Sequence, residues 1–342
     1  MTVAVDLWRS LRDETRSGEV GTPPVGGFNA ENVGTGLWVA IDHNLDPFLL
    51  VELAEGAGDL ETRSRALRSR TGQTQVPGQP QTCFLVELWI EDERFLDVFG
   101  AFCDRVIAEL EPLPESDRWE HLAAILGLWR HFWGAPEQHL SPENELGLLG
   151  ELIFIADWST DERTAVMTWT GNGSSSTTRD FETPTFDVEV KTTQLTPLGT
   201  HHRINGLKQL DSDSGKPLYL FSCTVSPSDD ADLNVRQLVE RILSDISSDP
   251  ELTDVFLGKV AARGFSPGSR KLRTFRMEHQ VLYRIEGDFP RLTESSIRGG
   301  LPGGIPPGGV TYSLDMVACG DWLVADGPPM PDVPVGEPRP CS

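Results

Sequence analysis

A chain of 342 residues with 38% hydrophobic content and nine Trp can bury at least one full core, and its length favours two or three domains. Disorder is excluded, no segment approaches the roughly 18 to 20 apolar residues that cross a bilayer, and the N-terminus MTVAVDLWRSLRDETRSGEV has no charged region followed by an apolar one. A soluble, cytoplasmic protein is therefore expected, and its formal net charge of -23 repels a phosphate backbone at long range, so contact with nucleic acid needs a local basic surface or a basic partner.

The chain opens with a helical stretch, Val5 to Arg16, and a loop rich in Gly and Pro. Apolar runs at Gly36 to Ile41, Phe48 to Leu53 and Thr82 to Ile90 read as strands, and the polar segment Ala57 to Pro80 between them reads as a mobile excursion. Helices are expected at Arg94 to Leu110 and at Ser116 to Trp133, the second with Leu122, Ile125, Leu126, Trp129 and Trp133 on one face.

From Ser141 the pattern changes. Ser-Pro-Glu-Asn reads as a helix cap with Pro in the first turn, and GLLGELIFIADW carries the helix to about Trp158. A loop of Gly, Ser and Thr, Thr170 to Thr178, leads to RDFE, the turn Thr183-Pro184 and TFDVEVKTT, which together read as an antiparallel hairpin. A polar helix around Ile204 to Leu210 and a strand from Pro217 to Val225 follow. Beyond Ser226 the pattern gives helices at Asn234 to Ile246 and Leu252 to Ala262, then strands near Arg273 to Glu286 and Val310 to Ala318. Gly299 to Gly309 and Gly327 to Pro340 read as loop and tail. Five Cys (Cys83, Cys103, Cys223, Cys319, Cys341) lie far apart with no C-x-x-C pair, a pattern that suggests neither a zinc module nor a disulfide framework.

The residues that carry chemistry sit in Phe186-Asp187-Val188-Glu189-Val190-Lys191. Strand alternation puts Asp187, Glu189 and Lys191 on one face and Phe186, Val188 and Val190 on the other, so Glu189 and Lys191 point the same way about 7 Å apart. That suits one metal ligand beside one water-orienting cation. Hydrolysis of a phosphodiester needs an attacking hydroxide, an in-line leaving oxygen and compensation of phosphoryl charge, which carboxylate-held Mg²⁺ supplies.

A second carboxylate must approach Glu189, and Asp180 on the preceding hairpin strand is placed to do so; the Val190 carbonyl, or that of a neighbour, would add an oxygen ligand. Lys191 would position the water, or take its proton if its pKa is depressed. Glu151 projects from the apolar side of its helix as a third carboxylate, and Gly147 and Gly150 would let that helix approach the sheet closely. An E-x-K pair alone is a common surface pattern. The specificity lies in the combination of an inward Glu on a helix, a D-F strand, a tight turn and an E-x-K strand.

With GLLGELIF, the W-x-G of Trp169 to Gly171, RDFE, EVKTT, Gln209-Leu210, IEGDFPRL and PPGGVTYSLDM, the chain resembles the PD-(D/E)XK family of bacterial proteins often encoded beside restriction and phage-defence genes. The resemblance runs from about residue 145 onward and more weakly through the N-terminal part. It implies an α/β (α+β) fold with a restriction-endonuclease-like core, a mixed central sheet flanked by helices, that cuts DNA with Mg²⁺, Mn²⁺ substituting. The family's aspartate falls on Asp180, its E-x-K on Glu189 and Lys191, and its helix glutamate on Glu151; the metal set is then Asp180, Glu189, Glu151 and the Val190 carbonyl. Arg179 stands where the family's eponymous proline would be.

The expected organisation is an N-terminal α/β module over 1-140, the nuclease core over 141-226, a C-terminal α/β region over 227-326 and a Pro/Gly-rich tail over 327-342. For DNA contact the candidates are His202 and Arg203 after the E-x-K strand, Gln209, and Arg270, Lys271, Arg273 and Arg276. The last four belong to a stretch from Gly258 to Gly300 with nine Lys or Arg against four acidic residues. The leading expectation is a DNA endonuclease of a prokaryotic restriction or phage-defence system, with a homodimer serving double-strand cleavage. The alternative is a silent or partner-activated subunit that docks on an ATPase, helicase or methyltransferase.

Overall fold

The computed structural model describes residues 3-60, 66-134, 140-170, 179-197, 199-211, 215-246, 249-266, 269, 272-297 and 300-331. In chain order the elements are α1 (Val3–Ser17), β1 (Asn29–Gly34), β2 (Leu37–Ile41), β3 (Pro47–Glu52), β4 (Leu67–Thr74), β5 (Cys83–Ile90), α2 (Leu96–Leu110) and α3 (Glu115–Gly134). Then come α4 (Pro142–Ile153), which continues as a π-helical turn to Trp158, α5 (Glu162–Thr168), β6 (Phe181–Glu182), β7 (Asp187–Gln194), β8 (His201–Asn205) and β9 (Leu218–Pro227). The chain continues through α6 (Val235–Ile246), α7 (Pro250–Ala262), β10 (Phe275–Ile285), β11 (Thr311–Asp315) and β12 (Leu323–Asp326). No helix among the described residues is long and apolar enough to cross a membrane. Cys83, Cys103, Cys223 and Cys319 are free thiols, and Cys341 lies outside the described residues.

Two compact units emerge: Met1–Gln138 with Leu243–Ala261 and Phe265–Ser269, and His139–Ile242 with Ala262–Gly264 and Arg270–Ser342. In the first, an antiparallel sheet runs β1-β2-β3-β5-β4. Its inner strands β2 and β3 are buried along almost their whole length, as their runs LWVAI and PFLLV demand. On one face Phe28, Trp38, Phe48, Val76 and Leu85 form a cluster; Trp8 of α1 stacks on Phe99 of α2 at 5.1 Å elsewhere in the unit.

The strands that sequence periodicity overlooks, β1 and β4, are the two edges of this sheet. Much of the segment read as a mobile excursion is β4, paired with β5 from Leu67↔Ile90 to Thr74↔Cys83. Edge strands carry charge because it discourages pairing with other chains. Here Arg68 pairs with Glu91 and Arg70 with Glu87, so β4 has no apolar alternation to betray it.

In the second unit a mixed sheet runs β12-β10-β9-β7-β6, with β7 and β9 parallel and every other neighbour antiparallel. The mixed α/β architecture inferred from sequence is present. β9 is central and buried from Leu218 to Val225. Phe154 and Trp158 at the end of the α4 helix pack on Phe221, while Ile204, Leu218, Leu220, Leu314 and Met316 form a cluster beneath the two-stranded ribbon β8-β11.

The ribbon corrects one expectation. The helix read at Ile204 to Leu210 is instead β8, paired with β11 from His201↔Asp315 to Asn205↔Thr311, followed by a turn. His-His-Arg-Ile-Asn alternates exposed and buried, a period of two, and Gly206 at φ 105° ends the strand in a conformation that favours glycine. β12 and α5 were also unread; β12 is again a short, polar-flanked edge.

Candidate active site

Helix α4 begins as its sequence dictates. The Ser141 hydroxyl accepts a hydrogen bond from the Asn144 N–H at 3.2 Å and Pro142 occupies the first turn. Its buried side carries Leu148, Leu149, Leu152 and Ile153 together with two carboxylates, Glu145 and Glu151, 3% and 4% exposed. Arg273 satisfies Glu145 through its backbone N–H and its Nε, each at 2.7 Å. Glu151 accepts from Trp169 Nε1 at 2.8 Å on one oxygen and pairs with Arg263 Nη2 on the other.

Of the two glycines on this helix, only Gly150 is required by close approach. A Cβ there would collide with Thr192 Oγ1 and stand 3.1 Å from Val190 Cγ1, whereas at Gly147 it would meet only Arg263 Nη2 at 3.4 Å. Gly150→Ala is expected to push α4 off β7, costing about 1 to 3 kcal/mol in urea unfolding and misplacing Glu151. An unchanged unfolding midpoint would refute that role.

The hairpin supplies the rest. Thr183 Oγ1 accepts from the Phe186 N–H at 2.9 Å and pins the turn, and β6 pairs with β7 only at Phe181↔Val188 and Glu182↔Asp187. Past that point no strand among the described residues pairs with this edge of β7. There Asp180 Oδ2 accepts from the Val190 N–H at 2.7 Å. Because a strand residue turns its N–H and C=O to the same edge, the Val190 carbonyl faces this edge too.

Alternation places Val188, Val190 and Thr192 toward α4, and Asp187, Glu189 and Lys191 on the opposite face in register with Leu218, Leu220 and Ser222. Lys191 Nζ donates to Glu189 Oε1 at 2.6 Å, and Lys216 holds Asp187 at 2.6 Å. Asp187 is thus an ion-paired residue at the strand's start.

The electrostatics show how tightly these groups are gathered. Burial and the neighbouring Asp180 push the Glu151 carboxyl up to about 8, against the pull of Arg263 and Trp169. Burial also lifts Glu189 to about 7 although Lys191 opposes it, and raises Asp180 against Lys191, the Val190 amide, Arg263 and Arg179. Burial alone would lower Lys191, but Glu189 and Asp180 outweigh it and raise its pKa. Glu189 and Asp180 therefore hold Lys191 as an ammonium.

Three carboxylates and a backbone carbonyl make a hard-oxygen donor set of the kind that holds a divalent cation. Each carboxylate is meanwhile held by a protein donor: Glu151 by Arg263 and Trp169, Glu189 by Lys191, Asp180 by the Val190 N–H. No three His, Cys, Asp or Glu side chains among the described residues stand grouped as a metal site. The donors present fit a hard cation by their chemistry.

The residues singled out for DNA are dispersed. His202 is 2% exposed, bonded to Ser222 Oγ at 2.7 Å and lowered to about 3 by burial and by Lys191, so it is a neutral wall beside the lysine. Arg203 is exposed on β8, and Gln209 accepts from the Asn205 N–H at 2.8 Å. Arg276 is exposed, Arg273 serves Glu145 and the Pro142 carbonyl, and Arg270 and Lys271 lie outside the described residues. Arg263, Arg284 and Arg291 also have internal partners, so the basic run is not one continuous surface among the described residues.

Trp169 and Arg179 go beyond the sequence reading. Trp169 appears there only as part of a W-x-G motif, and Arg179 only as a missing proline. Arg179 is buried, donates to the carbonyls of Lys208 and Asp211, and lies close enough to Glu189 to act on its charge. A separate pocket of about 230 Å³, lined by Phe154, Phe181, Thr183 and Phe186 among others, contains none of Glu151, Asp180, Glu189 or Lys191.

Over residues 5–316 the chain matches the family described as "Putative PD-(D/E)XK family member" (DUF4420). No curated protein and no solved structure matches it.

Proposed function

Since the chain belongs to this PD-(D/E)XK family, we propose that it is a Mg²⁺-dependent DNA endonuclease, with Mn²⁺ substituting, of a prokaryotic restriction or phage-defence system. The observation that carries this reading is that the buried Glu151 and Glu189 and the half-buried Asp180 and Lys191 act on one another's charge, with Asp180 bonded to the open edge of β7 and Lys191 to Glu189. Asp180, Glu189 and the Val190 carbonyl would hold the cation, with Glu151 supporting. When bound, the cation lowers the pKa of water and neutralises charge on the phosphoryl oxygens.

The protein's own residues do the rest. Lys191 presents an ammonium to the attacking water and to the charge that develops on the phosphoryl group. Arg179 fixes the segment that carries Asp180, just before β6, by donating to the carbonyls of Lys208 and Asp211. His202 and Ser222 wall the site behind Lys191. The exposed Arg203 and Arg276, with Arg270 and Lys271, are the proposed contacts to the DNA backbone.

Incubation of supercoiled plasmid with the purified protein tests the reading. Nicking or linearisation is expected with Mg²⁺ or Mn²⁺ and none with EDTA. Cleavage that is indifferent to EDTA would contradict it.

The net charge of -23 and the internal pairing of Arg263, Arg273 and Arg284 favour a second reading, a subunit that docks on an ATPase, helicase or methyltransferase and is activated there. In that case the isolated protein leaves plasmid intact and cuts only beside its partner. A homodimer would bring two such sites to opposite strands.

A further inference from the structure

Arg263 follows α7 and reaches the acidic cluster from a part of the sequence far from the hairpin. Its Nη2 meets Glu151 Oε1, its guanidinium lies along the Gly147 face of α4, and its charge acts on Asp180 as well as on Glu151. Its Nε is buried with no hydrogen-bond partner among the described residues, and the side chain is 25% exposed. A guanidinium carries five N–H donors in a planar fork that matches a phosphate. A buried donor without a partner is costly, and a ligand oxygen would relieve that cost.

Structural pairing alone would be met by the Glu151 contact. It leaves unexplained why the guanidinium paired with this carboxylate is partly open to solvent while its Nε has no acceptor among the described residues. A divalent cation and Arg263 also compete for the same carboxylate, since either neutralises it.

We propose that Arg263 is a further residue of the site: it pairs with Glu151 while no cation is bound, and moves its guanidinium onto the phosphodiester when a cation takes the ionised Glu151. This rests on the hydrolytic reading above. It gives the site a built-in counter-ion that keeps the carboxylates gathered before metal arrives, and a second positive group for the transition state beside Lys191.

Two variants in the full chain test it. Arg263→Ala removes the competitor, so Mn²⁺ binding read by electron paramagnetic resonance without DNA is expected to tighten roughly tenfold. Cleavage at saturating metal is expected to fall on the order of a hundredfold in kcat. Arg263→Lys keeps the charge and guards against misfolding; its Mn²⁺ affinity should stay within about twofold of wild type while kcat falls about tenfold, because an ammonium has no fork. Unchanged Mn²⁺ affinity in Arg263→Ala overturns the proposal, as does full kcat in Arg263→Lys. If the wild-type protein cuts nothing with any divalent cation, the hydrolytic reading fails on its own, while the affinity measurement still reads the exchange on Glu151.

Discussion

Asp180→Ala, Glu189→Ala and Lys191→Ala are each expected to lower divalent-dependent cleavage by on the order of a thousandfold or more while the protein stays folded. Asp180 and Glu189 are the carboxylates nearest the open edge of β7, and losing either removes both a ligand and negative charge. Lys191 contributes through its ammonium, so Lys191→Ala leaves metal affinity much less affected than turnover. Folding survives because Glu189 is already displaced toward its neutral form by burial, and a carboxyl that can take up a proton need not remain an unpaired buried charge. Asp180→Asn preserves an acceptor for the Val190 N–H and separates charge loss from loss of that bond. Because the three act as a unit, the triple variant should be little worse than the weakest single one. Retained cutting by the purified triple variant would sink the assignment.

Metal binding should depend steeply on pH and release protons. Glu151 titrates near 8 and Glu189 near 7 in the folded, metal-free protein, against ordinary values of 4.5. The folded state therefore holds protons that the unfolded state has given up. The resulting stabilisation is complete below the unfolded values and is lost as pH rises through 7 and 8. The groups that set this balance are Asp180, which raises Glu151 and Glu189, and Lys191, Arg179 and Arg263, which oppose burial within the cluster. A cation binds the ionised carboxylates, so Mn²⁺ affinity should rise on the order of a hundredfold between pH 6 and pH 8. Its stabilising effect on thermal unfolding should grow over the same interval. Calorimetric titration in two buffers of different ionisation enthalpy reads the released protons directly. A flat affinity with no proton release would show that these carboxylates do not hold the metal.

The parts of this site that sequence disclosed share a physical cause. Strand alternation is visible wherever apolar and charged residues take turns, so Glu189 and Lys191 could be placed on one face of β7 from Phe186-Asp187-Val188-Glu189-Val190-Lys191 alone. Ser141-Pro142 announced α4 because capping is a local interaction. The close approach at Gly150 was also readable, since a glycine on an apolar helix face invites contact, although Gly147 beside it looked equivalent and is not.

What was hidden depends on tertiary context. β1 and β4 are edges whose exposed faces carry polar residues, so they lack the apolar signature of β2 and β3, and β12 is an edge of only four residues. The helix read at Ile204 to Leu210 begins within β8, whose polar residues mask a two-residue burial period that exists only against β11 and the sheet beneath. Arg179, Trp169 and Arg263 reach the carboxylates through side chains whose sequence neighbours say nothing of the destination. Arg263 and Arg273 were counted toward a basic surface, but in a chain of charge -23 buried carboxylates on α4 claimed them first.

The central claim, that Asp180 and Glu189 hold a catalytic divalent cation, is tested most directly by anomalous diffraction from crystals of the full chain soaked in Mn²⁺ near pH 8. The expected result is an anomalous peak at the open edge of β7, about 2.1 to 2.3 Å from carboxylate oxygens of Asp180 and Glu189 and from the Val190 carbonyl, that is absent in Asp180→Ala. A fully soaked crystal with no peak there, or with manganese bound only elsewhere, would contradict it.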